Sequence, residues 1–380
     1  MSQDDNVIRA AQWLFDHAER LIAEDTDAAI PYLERLLISS QDRDLRVYCL
    51  KNLGILHLGR GELDEATKYL RSATALCPQD PQLHHALGQV AAESGHFWLA
   101  LLEFMEALYH GRSHDDVVEF MRSVAATMRQ LHFGEAGLAV LIGAYERAPH
   151  DPFVLDSLAR FYESTRRWLD AIEARDNLIE VLEGRQQALT DQGDVRRLEG
   201  EAARSALEIV SRRMQREIRL VDETHEAGGL TELSRTNLPT GLHTLVQALG
   251  LRSHNLPLLK TAQALWARAL HDRFDVHLSI PTLAAAIHWI VERLHWRVPT
   301  TLADLSRLYG ADAERLPAAV RLLVGCLEVE LVPLKTAEGR LEAGELSRLQ
   351  KVQKAMLYDV DLADVEPRGV LGGHEEEDTR

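Results

Sequence analysis

Cysteine is scarce in this chain, and what there is does not cluster. Cys49, Cys77 and Cys326 are scattered over 380 residues. An odd, sparse set argues against a disulfide scaffold and for a reducing compartment. No metal-type spacing links the three, so no metal site is expected on thiolates. Long apolar runs are missing as well: none reaches the roughly 18 residues that span a bilayer. The opening Met1-Ser2-Gln3-Asp4-Asp5 has no basic stretch leading into an apolar one, so no secretory signal is expected. These absences lead to the expectation of a cytoplasmic protein with no membrane partner. Strand-like alternation of useful length is also absent. So are a glycine-rich phosphate loop, a nucleophile elbow, a metalloprotease helix and a paired carboxylate with an obvious partner. No catalytic, cofactor-binding or metal-binding residue is therefore expected, and the chain is read as a non-enzyme.

Acidic charge is plentiful. The apolar fraction of 46% and charged fraction of 27% are those of a globular protein, and the net charge is −17. That charge is uneven. Residues 1–238 carry 26 basic against 40 acidic side chains, residues 239–335 carry 10 against 8, and residues 336–380 carry 6 against 11. A chain this acidic repels nucleic acid as a whole, and only 239–335 escapes that objection.

Two stretches superimpose at a shift of 34 residues. The first reads Leu50, Leu53-Gly54, His57, Gly61, Ala66, Leu70, Ala73, Pro78. The second reads His84, Leu87-Gly88, Ala91, Gly95, Ala100, Phe104, Ala107. Gly54, Gly88, Ala66 and Ala100 are small where paired helices approach closely, and Gly61 and Gly95 fall at the turn between helices. The period, with Leu-Gly in a first helix and Ala-x3-Phe in a second, resembles the tetratricopeptide repeat. The resemblance implies a helical solenoid that binds other proteins.

The wider pattern extends the repeat. A first pair is expected at 6–37, the two clear repeats at 47–80 and 81–114, and a degenerate one at 118–151 with Gly137, Leu141, Ala144 and Pro149. A further pair opens at Asp151-Pro152, where Asp caps and Pro fits the first turn. No proline occurs between Pro152 and Pro239, and residues 170–222 predict long helices broken near Gly184 and Gly193. The expected organisation is all-α. It comprises repeats over 1–180 (four to five helix pairs), a helical cap and linker over 181–235, a five-helix domain over 236–335, a helix over 336–358 and a disordered acidic tail over 359–380.

In the five-helix domain, segments are expected at 240–250, 257–273, 280–296, 301–309 and 312–331. Ser279-Ile280-Pro281 starts a central helix bearing Ala284-Ala285-Ala286. Thr300-Thr301 starts a short helix that ends at Gly310, and Asp312 is read as the cap of the next. This segment resembles one cyclin-like repeat of the transcription factor IIB family. The resemblance implies a helix-turn-helix surface carrying Thr301, Arg307, Arg315 and Arg321. The sequence departs from the family in lacking a CxxC zinc ribbon. Pro317, past the first turn of a helix begun at Asp312, would delete a hydrogen bond, and Asp312 and Glu314 would face phosphates with the wrong sign. DNA binding is thus the weaker alternative.

Tetratricopeptide resemblance further implies a groove lined by first helices. Projected register places Tyr48, Lys51, Ile55, Gln82, His85, Gln89, Arg122, Arg129, Phe153, Asp156 and Arg160 there. Lys51, His85, Gln89, Arg122, Arg129 and Arg160 are the candidate contacts for a protein or peptide ligand, and the basic ones favour an acidic segment or chain-terminal carboxylate. The competing reading is solvated side chains paired with nearby Glu and Asp. Histidines number 17. Several cluster, at His84-His85 and then at His271, His277, His288 and His295, the last two seven apart on one helix; all are read as lacking ligand duty, and the six tryptophans, Trp13, Trp98, Trp168, Trp266, Trp289 and Trp296, as core. The function expected is an adaptor linked to transcription, or an assembly scaffold unrelated to it.

Overall fold

The computed structural model describes residues 3–188, 245, 248–249, 256–272, 274, 278–297 and 300–359. All regular structure among these residues is helical. Ten helices come first: α1 Gln3–Glu24, α2 Thr26–Ser39, α3 Arg43–Gly59, α4 Leu63–Leu76, α5 Pro81–Glu93, α6 Phe97–His110, α7 Val117–Gln130, α8 Gly134–Arg147, α9 Pro152–Ser164 and α10 Trp168–Ala188. Six follow: α11 Leu256–His271, α12 Ile280–Leu294, α13 Leu302–Tyr309, α14 Leu316–Cys326, α15 Leu334–Ala337 and α16 Ala343–Tyr358. The expected helix at 240–250 lies almost wholly outside the described residues. So do the linker beyond residue 188 and the tail after Asp359.

The starts and stops follow local chemistry. Asp25, Asp42, Asp80 and Asp151 cap α2, α3, α5 and α9, each accepting a backbone N–H of the first turn. Pro81 and Pro152 sit at the first helical positions, where the missing N–H has no partner to lose. Gly61 and Gly95 turn the chain from α3 to α4 and from α5 to α6 with φ of +73° and +77°, a conformation that L side chains rarely adopt.

Two compact units can be distinguished: Met1–Phe120 with Ala337–Val352, and Met121–Thr336 with Gln353–Arg380. In the first, α3 packs on α4 and α5 on α6. Leu53, Leu70 and Leu83 are fully buried there, each contributing on the order of 1.5–3 kcal/mol of transfer free energy. Ala66 and Ala100 are buried as well. The approach is as close as expected: Gly54 faces Leu70, and Gly88 faces Phe104.

The second unit contains α8 to α14. Here α9 packs on α10, and Arg175, only 6% exposed, is held by Asp156 at 3.0 Å and Glu163 at 2.7 Å. The alanine-rich α12 is buried at every position from Thr282 to Glu292 and is covered by α11, α13 and α14. Three small side chains in a row let those neighbours approach it.

Several expectations are corrected. α10 runs without interruption through Gly184, because Gly184 sits in open space and its backbone stays helical. Trp13 is 56% exposed and stacks on His17 rather than entering the core, and Trp168 is half-buried. The helix after Gly310 begins at Leu316, not at Asp312. Asp312 caps the preceding turn by accepting from the N–H groups of Glu314 and Arg315. Pro317 therefore lies in the first turn and deletes no helical hydrogen bond.

Candidate functional site

The first helices α3 and α5 carry a polar relay that ends on Asp116, just before α7. Lys51 of α3 donates to the side-chain carbonyl of Gln82 on α5, and Gln82 Nε2 donates to Asp116 Oδ2 at 3.0 Å. The second step spans 34 positions, one repeat, and the first spans 31. Gln89 is half-buried and Ile55 is 43% exposed. His85 is only 8% exposed, with ring centroids 5.3 Å from Phe104 and 5.2 Å from Phe120, so its body is packing material. Tyr48 holds its hydroxyl proton to about 12, through burial first and the charge of Glu19 second.

Within the second unit, Arg122 of α7 lies over the ring of Phe153 on α9, 5.1 Å from its centroid. Phe153 is 64% exposed, and the Arg122 Nε is buried without a hydrogen-bond partner. Arg129, seven residues on, is exposed, and Arg160 pairs with Asp156 at 2.8 Å.

The implied helix-turn-helix residues are engaged locally. Thr301 caps α13, accepting from Asp304 N–H, and Gly310 ends it with φ of 64°. Arg307 pairs with Asp304 at 2.6 Å and Arg315 with Asp312 at 3.4 Å, while Arg321 is exposed. Beneath them, His288 contacts the Tyr309 hydroxyl at 2.8 Å and Glu292 at 3.2 Å. Glu292 also accepts from Thr300 N–H and Oγ1. Burial raises the Glu292 carboxyl, but the His288 and Thr300 hydrogen bonds outweigh it and leave it below the usual range. His295 terminates α12 and meets Thr261 Oγ1 at 2.8 Å.

One cluster was not legible beforehand. His84 of α5 brings Nδ1 to 2.8 Å from Glu103 and 3.4 Å from Glu106, both on α6, and its Nε2 to 2.9 Å from the Pro78 carbonyl. All three side chains are more than nine-tenths buried. Arg348 of α16, over 240 residues away in sequence, closes the cluster. Its Nε donates to Glu106 at 2.9 Å, and one terminal nitrogen donates to Glu106 at 2.8 Å and Glu103 at 3.1 Å.

Charge states follow from the partners. A carbonyl only accepts, so His84 Nε2 carries a proton, and a proton must also lie between Nδ1 and Glu103. Burial lowers the His84 pKa, yet the hydrogen bond and charge of Glu103, the charge of Glu106 and the Pro78 carbonyl together raise it above its ordinary value. Glu103 is pushed up by burial and pulled down further by His84 and Arg348. A raised His84 and a lowered Glu103 favour the arrangement in which two cations, His84 and Arg348, face the two carboxylates. By donor type and spacing, with the ligand atoms within 4.8 Å of one another, His84, Glu103 and Glu106 could hold a metal ion, but Arg348 already occupies both carboxylates. Beside it opens a cleft of about 620 Å³ bordered by Asp64 and Arg71 of α4, Ser94, His96, and Glu345 of α16.

Residues 49–90 match the tetratricopeptide repeat family. No curated protein matches the sequence. Solved structures of the protein MamA are similar in part. The RS-1 ArsTM double mutant is 14% identical over 46% of this chain and 96% of that one, with a TM-score of 0.40. A second MamA crystal structure is 14% identical over 45% and 96%, at 0.39. MamA from Desulfovibrio magneticus RS-1 is 20% identical over 44% and 93%, at 0.33. At these identities and scores the likeness transfers no partner or activity. Among the described residues, no helix is long and apolar enough to cross a membrane.

Proposed function

We propose that this chain is a non-enzymatic protein-binding adaptor that takes an acidic or carboxylate-bearing segment of its partner on first helices α7 and α9. Support comes first from the match of residues 49–90, which run from α3 through α4 into α5, to a repeat of the kind used for protein recognition. The observation that carries the chemistry is Arg122 over Phe153. A guanidinium laid on a largely exposed aromatic ring offers charge and apolar area at one spot. Arg129 extends the positive charge along the same helix, and Arg160, although paired with Asp156, keeps an exposed side chain.

In this reading residues 236–335, the cyclin-like module, are a second protein-binding element rather than a DNA reader. Arg307 and Arg315 support that choice, because each is already paired with an aspartate on its own turn.

The test is partner capture with the double reversal Arg122→Glu and Arg129→Glu, with helical content and melting followed in parallel. Expected is loss of capture with an unchanged far-ultraviolet spectrum. Undiminished recovery of the same partner would remove this face from consideration and move attention to residues 280–331.

A further inference from the structure

We infer that His84, Glu103 and Glu106 form a guanidinium socket between α5 and α6 of the first unit, filled in cis by Arg348, so that α16 is a displaceable strap whose competitor is a helix presenting an arginine. The socket itself is local in sequence. Pro78, His84, Glu103 and Glu106 all come from one helix pair and the turn before it, while the cation arrives on the last described helix.

Its charge explains why an arginine is needed. His84 supplies one positive charge against two carboxylates that are 6% and 7% exposed, so without Arg348 an uncompensated negative charge stays buried. Geometry explains why it must be a guanidinium. Glu103 and Glu106 lie one turn apart on the same face of α6 and accept three N–H bonds from two different nitrogens of one planar group. An ammonium is a point donor and cannot span that fork.

Access explains why it can exchange. The Arg348 side chain remains 42% exposed, and the cleft of about 620 Å³ runs up to it between α4, α5 and α6. A competing helix approaches the carboxylates along this cleft and must also take the places of Leu349 and Val352, which α16 buries fully. The other charged groups bordering the cleft are Asp64, Arg71, His96 and Glu345, and His110 stacks on His84 at 5.7 Å. Arg71 and Glu345, both lining the cleft, are of opposite sign, so selectivity rests on the fork rather than on bulk charge.

The experiment uses the full chain and a labelled synthetic peptide covering residues 341–358, alongside the same peptide with Arg348→Lys. The Arg348→Ala protein is expected to bind the arginine peptide at least tenfold more tightly than the lysine peptide. Adding Glu103→Gln and Glu106→Gln to that protein should erase the difference. Because Arg348→Ala leaves the buried carboxylates without their cation, the wild-type chain provides a second measurement. Excess arginine peptide should accelerate amide exchange of residues 345–352 in the intact protein at least threefold, and the lysine peptide should not. Equal binding of the two peptides, no binding to the Arg348→Ala chain, or unaltered exchange in the wild type would each overturn the inference.

Discussion

Gly88 and Phe104 touch so closely that no methyl group fits between them: a Cβ built on Gly88 would lie 2.5 Å from Cδ1 and 2.6 Å from Cε1 of the ring. Phe104 is 3% exposed and has little freedom to retreat. Gly88→Leu should overpack the α5–α6 pair and cost about 1–3 kcal/mol or more. A thermal melt decides it, and a variant that unfolds at the wild-type temperature would sink the repeat register.

Gly143 and Gly184 should respond oppositely to the same change. Both lie in helices, where Ala is intrinsically favoured over Gly by about 1 kcal/mol. Around Gly184 there is open space, so Gly184→Ala should stabilise by up to that amount. Gly143 abuts the Trp296 carbonyl group, whose carbon would lie 2.9 Å from an added Cβ and whose oxygen accepts from Arg147 at 3.0 Å. Backbone cannot swing aside as a side chain does. Gly143→Ala should destabilise despite the better propensity, and denaturant titration of both variants reads the sign directly.

Much of the repeat was legible because its signals are local. Leu-Gly and Ala-x3-Phe at a fixed shift, with Asp-Pro starts and glycine turns, each act within a few residues of themselves. The same holds for Ser279-Ile280-Pro281 and for Gly310. Start points governed by competing caps were less legible: Asp312 looked like a helix cap and caps a turn instead. Tryptophan was misjudged where hydrophobicity stood in for position, as at Trp13. The His84 cluster left only weak traces in the sequence. Glu103 and Glu106 look like ordinary surface carboxylates in sequence, and nothing local announces that Arg348 will meet them. Two weak signals existed: a His adjacent to a tight α5 start, and a Glu-x2-Glu spacing within an otherwise apolar α6.

Duplex DNA should not bind. The net charge of −17 opposes it, and Arg307 and Arg315 are neutralised by Asp304 and Asp312. Titration of a fluorescent duplex with the full chain at physiological salt should show no sub-micromolar, salt-sensitive binding. Such binding would restore the transcription factor reading of residues 300–331.

His295 should make the protein sensitive to mild acid. Burial, and secondarily Arg297, pulls its pKa down to about 4, against about 6.5 in an unfolded chain. A depressed histidine pKa means that the folded state resists taking the proton. Its penalty is absent above the unfolded value and grows as pH falls from about 6.5 toward about 4, with a slope of up to about 1.4 kcal/mol per pH unit. His295→Gln should flatten that part of the stability curve.

His84 should give the opposite dependence, and the contrast between the two histidines is the sharper test. Its folded pKa is raised above the ordinary value because Glu103, Glu106 and the Pro78 carbonyl outweigh the effect of burial. A raised pKa contributes stability that is fully present below about 6.5 and is lost as pH rises through the folded value. Glu103 works in the other direction: its lowered pKa contributes above the ordinary carboxylate range and is lost as pH falls through the folded value. The cluster should therefore hold best between those two limits and weaken on the alkaline side first through His84. Melting temperature measured from pH 5 to 9 should decline on the alkaline limb more steeply in wild type than in His84→Gln, since glutamine keeps donors near Glu103 without titrating. Parallel curves for the two proteins would mean that His84 is uncharged in the fold, and would remove the two-cation, two-anion assignment of the cluster.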